Sequence, residues 1–158
     1  IKDAEKLTWD KYDPCCCTPL FDAIGKTVKK IKKDTKDIED AAVLVTIITD
    51  GYENSSKEWT GPMVKKLIDE CKEEGWMFSF IGAGEDVVKV ATTISITNTV
   101  VWEQTSEGTA EMFENENQAR NRFYDKMAAP CCGAPMSLEE RKAMKRRLSE
   151  EYYDKDKK

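Results

Sequence analysis

The sequence predicts an α/β fold of the Rossmann-like kind, a parallel sheet with helices on both faces, followed by a C-terminal helical tail. Two observations carry this. Short apolar runs rich in β-branched or aromatic residues, VLVTIIT at 43–49 and WMFSFIGAG at 76–84, are too brief for buried helices and suit strands covered on both faces. Around them lie segments whose apolar residues recur at helical spacing. The resulting order of strand, helix, strand, helix, strand, helix implies parallel strands joined by right-handed crossovers.

Thr18-Pro19 reads as an N-cap followed by proline at the first helical position, and Leu20, Ile24, Val28 and Ile31 then keep helical spacing. A helix is expected from about residue 19 to the mid-thirties. Its lysine-rich stretch KTVKKIKK alternates with Val28 and Ile31 and reads as a solvated helix face. The strand 43–49 follows, with Asp50 at its carboxyl end. In SSKEWTGP, Ser55 and Glu58 have the spacing of a capping box, and Pro62 opens a helix striped by Val64, Leu67, Ile68 and Cys71. Gly75 ends it.

WMFSFIGAG is the second strand, EDVVKVATTI a short helix, TVVW a third strand, and Thr109 to Met127 a long, mostly polar helix with Phe113 and Phe123. AAPCCGAP is turn-rich, and Ser137 with Glu140 caps a charged final helix whose apolar stripe is thin: Leu138, Met144, Leu148 and Tyr152. A docked or partner-binding helix and a merely solvated one both fit that stripe. The implied organisation is an α/β domain over 1–128 and a linker with a charged helix over 129–158.

At 158 residues the chain suits one domain plus a tail. Its net charge of -5 is spread along the chain, which argues against a nucleic-acid partner. No apolar run has the length of a membrane span, so no membrane partner is expected. The six cysteines are too sparse for a disulfide scaffold and point to a reducing, cytoplasmic setting. Histidine is absent, which excludes Ser-His and Cys-His nucleophiles and every imidazole-dependent zinc site. No enzymatic role is expected.

In open parallel sheets, ligands gather outside the carboxyl ends of the strands. Asp50 lies at that edge, and so does Thr18, which precedes a helix running back toward the next strand. A carboxylate and a hydroxyl on one rim suit a hard divalent cation such as magnesium or manganese. A plain helix cap at Thr18 and a plain turn at Asp50-Gly51 fit the same residues.

CTPLFDAIG, then VLVTIITDGYENSS, EEGWMFSFIGAGED and TSEGTAEMF resemble the von Willebrand factor A domain, in particular compact bacterial or phage-type members, over roughly Tyr12 to Phe113. The resemblance implies a metal-ion-dependent adhesion site to which Thr18 and Asp50 contribute, and a function in binding a protein partner through an acidic side chain. The family's D-x-S-x-S loop has no counterpart before Thr18. The resemblance therefore covers the later half of the family's domain and implies an N-terminally incomplete unit, with the missing segment upstream of Ile1 or supplied by a partner. It also leaves strand 43–49 as an exposed apolar edge through which, or through the C-terminal helix, the chain would oligomerise. With Asp50 as the sole carboxylate ligand, metal binding by this chain alone should be weak.

Three rival readings remain. The Gly82-Ala83-Gly84 turn after a strand is one, as the start of a nucleotide-binding enzyme domain, although Val87 stands where a third glycine would be. A structural domain with a degenerate metal site is another. A thiol or zinc site from Cys15, Cys16, Cys17, Cys131 and Cys132 is disfavoured, because adjacent cysteines lack the spacing that turns two thiolates toward one ion. Cys71, on an apolar stripe, reads as a core thiol.

Overall fold

A computed structural model of the chain describes residues 5, 8, 10, 11, 17–128 and 136–153. Cys15, Cys16, Cys131 and Cys132, and with them most of the proposed thiol cluster, lie outside the described residues. In chain order the elements are α1 (Leu20–Thr35), β1 (Leu44–Thr49), α2 (Gly61–Glu73), β2 (Met77–Gly82), α3 (Glu85–Thr93), β3 (Asn98–Val101), α4 (Ser106–Ala128) and α5 (Leu138–Glu150). The strands form one open parallel sheet in the order β1-β2-β3. Register runs from Leu44 beside Met77 to Thr49 beside Gly82, and from Ser79 beside Asn98 to Gly82 beside Val101.

The central strand β2 is buried along its whole length, and its side chains alternate between two cores. Phe78 and Phe80 point into the larger one with Ile24 and Val28 of α1, Val64 and Ile68 of α2, and Val87 and Ala91 of α3. Met77 points the other way, toward Ala119 and Phe123 of α4 and Leu148 and Tyr152 at the end of α5. Helices therefore cover both faces, as expected for a strand without polar alternation. Full burial of Phe78 and Phe80 contributes roughly 1.5–3 kcal/mol each.

Helix ends follow local chemistry, with two corrections. α2 begins with Pro62 in its first turn and stops at Gly75, whose φ of +87° favours glycine there; the N–H groups of Gly75 and Trp76 close the helix on Lys72 and Cys71 carbonyls. Its N-cap is Thr60, so Ser55 and Glu58 form no capping box. Likewise Thr18 does not cap α1: the N-cap position falls on Pro19, and the helix is capped from a distant loop described below. Ser137 and Glu140 do form the capping box expected for α5.

α5 is docked. Its Lys145 and Leu148 are buried, as is Tyr152 just beyond, and Asn98 of β3 donates from its side-chain amide to the Ser149 carbonyl at 2.8 Å. Of the two readings open for the tail stripe, packing against the sheet is the one observed. Among the described residues no helix is long and apolar enough to cross a membrane.

Candidate metal-binding rim

β1 ends at Thr49, whose hydroxyl exchanges hydrogen bonds with the Gly51 main chain at 3.0 and 3.2 Å. This tight turn carries Asp50 outward, where it is exposed. The Thr18 segment lies directly against it. A Cβ added at Gly51 would sit 2.8 Å from Thr18 Oγ1, so only glycine lets the two segments approach this closely. The two loops are also clamped along their backbones: Thr18 N donates to Asn54 Oδ1 at 2.7 Å, and Asn54 N donates to the Thr18 carbonyl at 3.2 Å. Thr18, half-buried, and Asp50, exposed, thus share the carboxyl rim.

Beside them, the loop after Asp50 supplies the cap that α1 lacks locally. Phe21 N donates to Glu53 Oε2 at 2.7 Å and Asp22 N to Ser56 Oγ at 3.0 Å, while Leu20 and Ala23 use the carbonyls of Thr18 and Pro19. Glu53 receives further bonds from Ser55 N, Ser56 N and Ser56 Oγ. Burial alone would push its carboxyl up; these donors, Phe21 N foremost, outweigh that and hold it below its ordinary value. Its lone pairs are engaged, which leaves Glu53 a loop clamp rather than a metal ligand.

Asp22 reciprocates. Its carboxylate accepts the main-chain N–H groups of Lys57, Glu58 and Trp59 at 3.0, 2.9 and 2.8 Å, and that of Lys57 does most to hold the carboxyl below its usual range. Loop 53–59 and the first turn of α1 are therefore one hydrogen-bonded body. Ser55 Oγ is buried in this loop without a hydrogen-bond partner, for which we have no physical account.

The donor set at the rim is one hydroxyl and one carboxylate, both oxygen, which fits the hard-ligand preference of magnesium or manganese. It is sparse. Among the described residues no group of three or more Cys, Asp or Glu is gathered to hold an ion. Cys17, adjacent to Thr18, is an exposed free thiol, and Cys71 is a buried one whose thiol burial raises to about 11, too high for a reactive thiolate.

The rival turn at Gly82-Ala83-Gly84 leads into α3 with Glu85 and Asp86 in its first turn. Two carboxylates at the helix start compete with a phosphate for the same positive end of the dipole.

Sequence reasoning put Thr18 and Asp50 on one rim and expected Glu53 and Asn54 to line or stabilise its loop, but it assigned no role to Asp22 and none to Gly51 beyond the turn. Asp22 carried a faint signal, since it is the acid in the first turn of a helix whose own cap residue makes no side-chain bond. Compared with family models, with curated proteins and with solved structures, the chain matches none.

Proposed function

We propose that this chain is a metal-assisted protein-binding module of the von Willebrand factor A type. Thr18 and Asp50 would hold a magnesium or manganese ion at the carboxyl rim, and the partner would supply an acidic side chain to it. The observation that carries the reading is the packing of Thr18 against the Asp50-Gly51 turn, with the Thr18 hydroxyl free of capping duty.

The ion, when bound, supplies positive charge and open coordination positions for an anionic oxygen. What the chain's own residues do is positional. Asn54 locks the Thr18 backbone, Glu53 and Asp22 fix the loop on the helix, and Gly51 removes the Cβ that would hold the two segments apart. The site is preorganised but ligand-poor, so most positions around an ion fall to water and to the partner. We expect an apparent dissociation constant in the millimolar range or weaker, no more than about 4 kcal/mol.

Calorimetric titration of the purified chain with magnesium and with manganese tests this. Weak binding that disappears in Asp50→Ala supports the reading. No binding at all, with and without an added acidic peptide, would favour a structural domain with a degenerate site.

A further inference from the structure

The sheet ends on an unfinished edge. β1 pairs with β2 on one side, and among the described residues nothing pairs with its other side. Val43 and Thr49 give their carbonyls to Met77 N and Ala83 N on the β2 side; because peptide groups alternate in direction along a strand, the N–H and C=O groups of Leu44, Thr46 and Ile48 point outward. Natural edges of this kind are blunted by a charge, a proline or a bulge. β1 has none of these: it reads LVTIIT in unbroken register, and Ile48 is 44% exposed within it.

The helices beside this edge are apolar or of mixed charge where they pass it. α4 crosses β1, where Thr46 Oγ1 donates at 2.6 Å to the buried Glu116, a carboxylate that also accepts the Tyr152 and Tyr153 hydroxyls. Glu111 and Asn115 line a cavity beside β3, so at about 3.6 residues per turn the flank carrying Phe113 and Tyr124 is turned the other way, past β1. Both rings are exposed, at 49% and 41%. On the opposite face of the sheet, α1 turns its lysines toward α2 and the rim loop: Lys26 pairs with Glu58, Lys32 with Glu74, and Lys29 lies over Trp59. Its other flank is left with Ala23, Thr27, Lys30 and Asp34, all exposed.

We propose that this edge is an interface between two copies of the chain, joined β1 to β1 in antiparallel about a two-fold axis that passes through Thr46 perpendicular to the sheet. Each copy offers what the other lacks. Leu44 faces the partner's Ile48 and Thr46 faces the partner's Thr46, each pair exchanging both main-chain N–H···O bonds, and an antiparallel pair on an otherwise parallel sheet is a common arrangement. A strand of 6 residues covers far less than the roughly 800 Å² per partner of a stable interface, so the helix flanks take part. The axis brings α4 beside its mate with Phe113 and Tyr124 between them, and α1 beside its mate. Charge permits this: β1 is uncharged, the lysines on the α2 side of α1 are matched within the copy, and Lys30 and Asp34 are of opposite sign, so no single-sign surface meets itself. The tail helix, the other element through which self-association was expected, is docked on its own sheet, which leaves the strand.

Sedimentation velocity of the full chain over about a hundredfold concentration range should show a monomer–dimer equilibrium with a dissociation constant in roughly the micromolar range. Ile48→Lys puts a charge on the edge, and the double variant Phe113→Ser/Tyr124→Ser strips the α4 flank; each should weaken association by about tenfold or more. Met63→Lys, at a comparably exposed position on α2, should leave it unchanged. All these changes fall on exposed side chains, so the fold should survive them. Amide hydrogen exchange then identifies the edge itself. Leu44, Thr46 and Ile48 should gain protection as concentration rises, while Val45, Ile47 and Thr49, whose amides face β2, stay protected throughout. A monomer at every concentration would overturn the proposal, as would a dimer in which those outward amides stay open, or one that Ile48→Lys leaves intact or Met63→Lys weakens as much. Protection of the same outward amides in a monomer would assign the edge to another segment and overturn it equally.

Discussion

Gly25 lies against the indole of Trp59 so closely that a Cβ on Gly25 would be 2.1 Å from Trp59 Cδ2. Trp59, 9% exposed, lies against this gap in α1, with Lys29 Nζ 4.8 Å from its ring centroid. The indole thus anchors the end of the rim loop onto α1. Gly25→Ala should overpack this contact and lower stability by about 1–3 kcal/mol or more, and Trp59→Ala by about 3–5 kcal/mol. Chemical denaturation midpoints at constant slope would measure both.

The Asp22 clamp makes stability pH-dependent in a defined direction. Its carboxyl is held below the ordinary value near 4 in the folded chain, so the unfolded chain binds the proton more readily. The stabilisation is present above about pH 4 and is lost as pH falls through the lower folded value. Asp22→Asn should flatten the acid limb of a stability-versus-pH profile and lower the plateau at neutral pH. An unchanged acid limb would show that the clamp is not the titrating contact.

At the rim, the Thr18 contact predicts a separation of effects. Gly51→Ala puts a Cβ 2.8 Å from the Thr18 hydroxyl and should push the two segments apart, weakening the proposed metal binding by about tenfold, while global stability changes by about 1–3 kcal/mol. Asp50→Ala should remove the proposed metal binding and leave stability within about 0.5 kcal/mol, because Asp50 is solvent-exposed. Titration and denaturation on the same samples separate the two.

The tyrosine pair gives an alkaline counterpart. Burial, with the Glu116 carboxylate beside them, pushes both phenols up from the ordinary value near 10. Groups raised in the folded state add stability that is whole below about pH 10 and falls as pH rises beyond it. Tyrosinate absorption should therefore show Tyr152 and Tyr153 ionising only as the end of α5 detaches. The double Phe variant should lose that late component.

Much of this architecture was legible because it rests on near-neighbour pattern. The runs at 43–49 and 76–84 had too few residues for buried helices, and the spacing of Val64, Leu67, Ile68 and Cys71 could pack in only one way. The caps of α1 were not legible: Thr18-Pro19 had the local form of a helix start, but the donors were taken by Glu53 and Ser56, which no short-range rule links to residue 21. Thr18 and Asp50 could be placed on one rim from topology, whereas the packing of the Thr18 segment on the turn rests on its close approach to Gly51 and its backbone bonds with Asn54, which only three dimensions reveal. The Glu116 cluster left a readable trace. Thr46 and Ser79 interrupt two apolar strands at positions that prove to be register partners, and a pair of inward hydroxyls calls for a buried polar group opposite.

The capping of α1 by residues 32 and 34 positions further along the chain also dictates an order of events in synthesis. A chain emerging from the ribosome exposes α1 before Glu53 and Ser56 have emerged, and a lone helix of 16 residues with uncapped donors is marginal in water. Closing the intervening segment then carries a loop-entropy cost of roughly (3/2)RT ln n. α1 is thus secured only once loop 53–59 has docked on it, and until then its Leu20, Ile24 and Val28 stripe is open to chaperones rather than to its own core.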